Sequence, residues 1–218
     1  MKTNWQAIGG YAALFEALAY IVGFTFLLTV LQPGLAANAT PAQQLVHVLG
    51  MHGWFKAWNI VIYVLFGAVL VVLVTVLHEM LAGRAAIVMK VASAFGLIWA
   101  GLVIATGMIA NVGLGAVSVM HAENPNQATI VWQTLNAVQD GLGGGVELVG
   151  GLWVILLSLA ALQQQAFSRV FNYFGIVVGV AGALTVVPAL RDLGALFGLG
   201  QIAWFAWLGV QLLSASRR

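Results

Sequence analysis

Six long stretches of this sequence are almost free of charged side chains, and they extend over residues 8–31, 54–77, 88–115, 142–162, 170–190 and 193–213. A helix needs roughly 20 mostly apolar residues to cross the hydrocarbon core of a bilayer. Because lipid offers no hydrogen-bond partner to the backbone, continuous apolar runs of this length fold as helices. We therefore expect an all-α, polytopic membrane bundle of about six transmembrane helices, forming one domain over residues 1–218.

The charged fraction of the chain is too small for a water-soluble protein. Asp, Glu, Lys and Arg make up 6% of the residues, whereas a soluble domain carries roughly 25%. The main partner of the surface is therefore expected to be the lipid bilayer. No run of basic residues is present, so nucleic acid is not an expected partner. The chain has no cysteine, which excludes disulfides and thiolate metal sites.

The placement of Lys and Arg predicts the orientation of the bundle, because cytoplasmic loops of membrane proteins are enriched in these residues. With the N-terminus inside, six basic residues lie on the cytoplasmic side, namely Lys2, Arg84, Lys90, Arg169, Arg217 and Arg218. Lys56 and Arg191 then lie outside. This bias predicts that both termini are cytoplasmic, in a multi-pass protein of the inner (cytoplasmic) membrane.

Two outer connections are long enough to contain short interfacial helices. Thr40, Pro41 and Gln43 have the pattern of a capping box with proline at the first helical position, which predicts a helix over residues 41–49 closed by Gly50. Residues 127–140 carry apolar side chains at helical spacing and should lie along the outer interface, with Trp132 as an anchor.

Glycines are concentrated at the start of the fourth apolar stretch, where Gly141, Gly143, Gly144 and Gly145 precede Glu147. Small residues allow helix backbones to approach closely in lipid, so tight packing is one interpretation. The other interpretation is a segment that is unwound around a ligand, as in the broken helices of transporters.

Two carboxyl groups fall within the apolar stretches, and an ionisable group there costs roughly 2.5–3.5 kcal/mol on insertion scales. They belong to Glu16 and Glu147. A protonated carboxyl hydrogen-bonded to a neighbouring helix is the simpler interpretation of Glu16. In the predicted topology Glu147 lies on the outer side together with other polar residues. The predicted ligand-binding residues are Glu147, Asn111, Asn59, His52, His121, Asp140 and Glu16.

Metal-binding and catalytic patterns are weak in this sequence. His47 and His52 are five residues apart, which is not the spacing of a helical zinc pair. His52 and His121 are the only weak candidates for a metal site. No catalytic triad, nucleophile elbow or phosphate loop is present. We therefore assign no catalytic residues and expect no bound metal or cofactor.

Several segments resemble a group of bacterial polytopic membrane proteins, the domain-of-unknown-function families of the 4386 kind. They are residues 95–102 (FGLIWAGL), 107–113 (GMIANVG), 143–153 (GGGVELVGGLW) and 204–209 (WFAWLG). The resemblance extends through most of the chain. It implies that Asn111 and the glycine-rich segment containing Glu147 are characteristic features, but it implies no particular chemistry for them.

Three interpretations of the function remain open. The first is small-molecule binding or transport through an outward-facing polar pocket, which predicts a cavity that reaches past Glu147. The second is a non-catalytic subunit, either of a homo-oligomer or of a membrane complex, which predicts filled helix interfaces. The third is a metal-dependent intramembrane enzyme, which requires His52, His121, Asp140 and Glu147 to approach a common point.

Overall fold

The computed structural model describes residues 5–144 and 146–216, and this part of the chain is all-helical, without strands. Lys2, Gly145, Arg217 and Arg218, which entered the sequence argument, lie outside the described residues. The α-helices are α1 (Trp5–Phe26), α2 (Pro41–Gly50), α3 (His52–Asn59), α4 (Phe66–Leu81), α5 (Ala86–Glu123), α6 (Pro125–Gln139), α7 (Leu148–Gln164), α8 (Arg169–Leu184) and α9 (Leu193–Ser216).

The long apolar helices confirm a membrane-like helical bundle. Five stretches of the described chain are long and apolar enough to cross a membrane: Trp5–Leu31, His52–Leu81, Ala86–Glu123, Pro125–Gln164 and Leu193–Ser216. The fifth predicted stretch, residues 170–190, corresponds to the shorter apolar helix α8, which ends at Leu184. The prediction extended it to residue 190. The chain instead makes a separate 3₁₀ turn over Pro188–Leu190, because proline cannot donate the hydrogen bond that would continue the helix.

The first outer helix forms as its capping pattern predicts. The Gln43 N–H donates to the Thr40 hydroxyl at 3.4 Å, and the Thr40 N–H donates to Gln43 Oε1 at 2.9 Å. These two bonds satisfy amide groups that the first turn of a helix leaves without an intrahelical partner. The capping box of α2 is therefore confirmed.

The second predicted interfacial helix packs on neighbouring helices. We expected residues 127–140 along the outer interface, and this placement stays a prediction. In the structure α6 reverses direction at Asn124 and packs antiparallel to the end of α5, with Leu135 against Gly113. Its apolar face also meets Val117 and, on α2, Leu45. Helix α5 continues to Glu123, whereas the predicted stretch ended at residue 115. The additional turns of α5 provide the surface on which α6 packs.

Glycines bring helix backbones together inside the bundle. A methyl group on Gly179 of α8 would lie 2.7 Å from the Gly151 carbonyl oxygen of α7. Gly96 on α5 and Gly150 on α7 instead accommodate indole rings, since a methyl group on Gly150 would lie 2.6 Å from Trp99. Lipid does not drive helices together by the hydrophobic effect, so such close contacts supply much of the packing energy.

Large aromatic rings occupy the centre of the bundle. Trp99, Trp153 and Trp204 are at most 2% exposed, and consecutive rings have centroids 5.6 Å apart. Amphipathic rings such as indole are enriched at membrane interfaces. These three rings are instead buried, because facing glycines leave space for them between the helices.

Candidate functional site

Three helices of the bundle lose regular α-helical geometry around the same region. The irregular segments are Leu27–Leu31, Ile60–Leu65 and Asp140–Gly144. In the first, the Gln32 N–H donates to the Leu27 carbonyl, five residues back, at 2.9 Å. In the second, the Phe66 N–H reaches the Val61 carbonyl, again five residues back. Such π-type turns are rare and frequently occur at functional sites.

The third irregular segment is a break in the chain direction before α7. Gly143 has φ +121° and ψ +16°, a backbone conformation that favours glycine. Helix α7 begins at Leu148, with Glu147 as its N-cap. The chain therefore departs from helical geometry at Gly143, and the interpretation that this segment surrounds a ligand stays a prediction. The packing interpretation applies to Gly150 and Gly151 further along the chain, which contact α5 and α8.

Thr185 holds the broken segment in place. The Glu147 N–H donates to the Thr185 hydroxyl oxygen at 2.8 Å, and this hydroxyl donates to the Gly182 carbonyl at 2.7 Å. Thr185 is buried at the end of α8. The bond satisfies an amide group at the start of α7 without using the Glu147 side chain, whose carboxylate makes no cap hydrogen bond. The carboxyl group is thus left available to the space beside it.

That space is a cavity of about 250 Å³, which we call the Glu147 cavity. It lies between α1, α5, the chain around Ile60–Leu65 and the break before α7. Aromatic rings form much of its wall: Tyr20, Phe24, Trp58, Tyr63, Phe66 and Trp99. The other lining residues are Ala19, Gly23, Leu27, Ile62, Val103, Gly143 and Glu147. Each of the three irregular segments contributes at least one lining residue.

Glu147 provides the only carboxyl group of the cavity lining, and no Lys, Arg or His lines it among the described residues. Its carboxylate forms no ion pair or hydrogen bond with another residue that the structure describes. The cavity therefore combines aromatic surface, two phenol groups and one unpaired acidic group.

A second, smaller space, which we call the outer cavity, lies beneath α2 and α6. Its volume is about 170 Å³, and Asn59 lines it. Asn59 Nδ2 donates to Asn111 Oδ1 at 3.0 Å, while Asn111 Nδ2 donates to the Lys56 carbonyl at 3.1 Å. Trp58 and Tyr63 line both cavities and form the wall between them. Of the predicted ligand-binding residues, Asn59 therefore lines the outer cavity and Glu147 lines the Glu147 cavity.

The other predicted site residues lie outside both linings. Asp140 is exposed and pairs with Arg191 across 3.7 Å. The His52 ring is exposed and lies 3.3 Å from the Leu49 carbonyl oxygen. His121 is half-buried near the end of α5. Glu16 is fully buried in α1, and neither of its carboxyl oxygens has a hydrogen-bond partner.

No group of three or more metal-ligating side chains forms within residues 5–144 and 146–216. His52 and His121, the weak candidates for a metal site, are not joined by a carboxylate to form such a group. The convergence of His52, His121, Asp140 and Glu147 that the enzyme interpretation requires is not present among these residues.

The aromatic lining of the Glu147 cavity was not predicted from the sequence. A local signal exists on α1, where Ala19, Tyr20, Gly23 and Leu27 follow Glu16 at helical spacing and share one face with it. On the next apolar stretch Trp58 and Ile62 are four residues apart. The tyrosines and tryptophans resembled interface residues, and their convergence depends on three separate segments of chain.

Comparison with protein families, with curated proteins and with solved structures finds no match for this chain. The resemblance to the 4386-kind families stays a prediction. The function must therefore be argued from the cavity and its lining.

Proposed function

We propose that this protein binds a small molecule in the Glu147 cavity and transports it through the membrane by way of this cavity. The observation that carries the proposal is the cavity itself, a largely aromatic space that contains a single unpaired carboxyl group. Ligand sites are typically apolar cavities with a few convergent polar groups. An interpretation as a purely structural subunit predicted filled helix interfaces instead.

The interrupted helices support transport in particular. Broken helices at a buried site allow a membrane protein to expose backbone and side-chain groups to a ligand. Here the break at Gly143 and the two π-type segments meet at one cavity, while the remaining helices are continuous. Trp58 and Tyr63 separate this cavity from the outer cavity. These two rings are the proposed gate between the ligand site and the outer surface.

The proposed topology has six spans, with both termini in the cytoplasm of a bacterial cell and the protein in its inner membrane. Helix α8 is the fifth of these spans in chain order. Its 16 residues extend about 24 Å at a rise of about 1.5 Å per residue, and the 3₁₀ turn that follows lengthens the crossing. The excess of Lys and Arg on one side supports this orientation.

Native mass spectrometry of the protein, extracted in mild detergent from its host, tests the binding proposal. Ala19 is buried and lines the Glu147 cavity, so the substitution Ala19→Leu should occupy part of the space. Ala68 is exposed on α4, and Ala68→Leu is the matched control. We expect a co-purified small molecule on the wild type and on Ala68→Leu, and its loss from Ala19→Leu. Equal occupancy of all three proteins, or none on the wild type, would contradict the proposal.

The absence of native cysteine permits a clean test of the orientation. Asn126 and Gln163 are exposed at opposite ends of the stretch Pro125–Gln164. A membrane-impermeant maleimide should label Asn126→Cys in intact cells, and should label Gln163→Cys only after permeabilisation. The reverse pattern would invert the proposed topology, and labelling of both in intact cells would show that this stretch does not span.

A further inference from the structure

We propose that the ligand of the Glu147 cavity is a small organic cation with apolar substituents, such as a tertiary or quaternary ammonium compound. The inference rests on the proposed binding function and specifies the chemical class of the ligand. It follows from three features of the cavity: the unpaired carboxyl group, the density of aromatic rings, and the absence of Lys, Arg and His from the lining among the described residues.

A positively charged ligand would stabilise the ionised form of the Glu147 carboxyl group. Burying an ionised carboxylate is costly unless a counter-charge accompanies it. No cationic side chain lines the cavity among the described residues, and Arg191 is already paired with Asp140. The position of Glu147 as the N-cap of α7 favours its negative charge through the helix dipole. A cationic ligand would supply the counter-charge that the lining lacks.

The aromatic wall is suited to the same class of ligand. A cation within about 6 Å of a ring centroid is attracted by the negative face of the ring, and tryptophan and tyrosine are the strongest partners. Six lining residues carry such rings. Tyr20, Phe66 and Trp99 form a continuous aromatic surface, with centroid separations of 5.3 Å and 5.8 Å between successive rings. The apolar substituents of an ammonium ion would contact this surface.

The cavity is poorly suited to anions and to bare metal ions. The Trp58 N–H already donates to the Gly23 carbonyl at 2.9 Å and is not available to an anionic ligand. The Trp99 N–H is buried without a hydrogen-bond partner, but the ionised Glu147 carboxylate would repel an anion. Hard metal cations such as Ca²⁺ take several oxygen ligands, whereas one carboxyl group lines this space. An organic cation needs one counter-charge and an apolar enclosure, which the cavity supplies.

A matched pair of probes tests the charge requirement on the wild-type protein. Benzyltrimethylammonium and neopentylbenzene have the same shape and differ by the exchange of a cationic nitrogen for a neutral carbon. Binding to the folded state raises the midpoint of thermal unfolding, Tm. We expect the ammonium probe to raise Tm and the neutral probe to have little effect. The variant Ala19→Leu should have a partly filled cavity. A Tm shift that the probes cause in this variant therefore measures their effect on the detergent and is subtracted from the wild-type shift.

The carboxyl group is tested by Glu147→Gln, which preserves the shape of the side chain. Removing one partner of a buried charge pair weakens binding strongly. We therefore expect Glu147→Gln to lower the affinity for the ammonium probe at least about thirtyfold. Glu79 is exposed at the end of α4, and Glu79→Gln removes the same charge away from the cavity. We expect Glu79→Gln to bind the ammonium probe with the same affinity as the wild type.

The outcomes separate the ligand class from the binding function. Equal effects of the two probes on wild-type Tm would overturn the cation assignment and leave a cavity that binds neutral molecules. Equal affinity of Glu147→Gln and wild type for the ammonium probe would also overturn it. If neither probe affects Tm, the assignment fails, and the loss or retention of the co-purified mass in Ala19→Leu decides the binding function separately.

Discussion

The close approach of α7 and α8 gives a quantitative prediction for the substitution Gly179→Ala. The added methyl group would lie 2.7 Å from the Gly151 carbonyl oxygen, whereas ordinary van der Waals contact begins at 3.4 Å. Both elements are helical backbone, so the clash cannot be relieved by rotating a side chain. The two helices must separate by the difference, about 0.7 Å. The same movement would lengthen the 2.8 Å bond from Glu147 to Thr185.

We expect this overpacking to lower the free energy of unfolding by about 1–3 kcal/mol. The control is Gly101→Ala on α5, where the added methyl group would meet no atom within 4 Å. Replacing glycine with alanine inside a helix is itself favourable by up to about 1 kcal/mol, so the control should be neutral or stabilised. Equilibrium unfolding in mixed micelles, followed by tryptophan fluorescence, measures both. Equal stability of the two variants would refute the close packing of α7 on α8.

Three further predictions concern the segment around Glu147. Gly143→Ala places a side chain at φ +121° and should lower the free energy of unfolding by about 1–3 kcal/mol in the same assay. Thr185→Val removes the hydroxyl that accepts the Glu147 N–H, so it should cost about 1–3 kcal/mol and weaken binding of the ammonium probe. Asp140→Asn breaks only an exposed ion pair with Arg191, and unfolding at low and high salt should show a loss of no more than about 1 kcal/mol.

The positions of the helices were accessible to sequence analysis because they depend on local properties. An apolar run long enough to cross a bilayer can be identified without knowledge of its neighbours. The cap of α2 is equally local, since Thr40 and Gln43 are three residues apart. The prediction of the end of α8 was less accurate, because the apolar run continues to residue 190 whereas the helix ends at Leu184.

The cavity could be predicted only in part from the sequence, because it depends on contacts between distant segments. The choice of Glu147 rested on the cost of placing a carboxyl group in an apolar run, which is a local argument. Its neighbours Tyr20, Trp58 and Trp99 come from three other parts of the chain. The sequence also left open whether the glycines before Glu147 serve packing or a break. The environment of Gly141 and Gly143 favours a break, since an added methyl group on either would have no neighbour within 4 Å.

The most direct test of the binding site is an experimental structure of the protein purified from its own membrane in mild detergent. The account predicts density for a compact molecule enclosed by Tyr20, Trp58 and Trp99, with its charged group facing the Glu147 carboxylate. A cavity that is closed by the surrounding side chains, or that contains only a lipid acyl chain, would contradict a small-molecule site at Glu147.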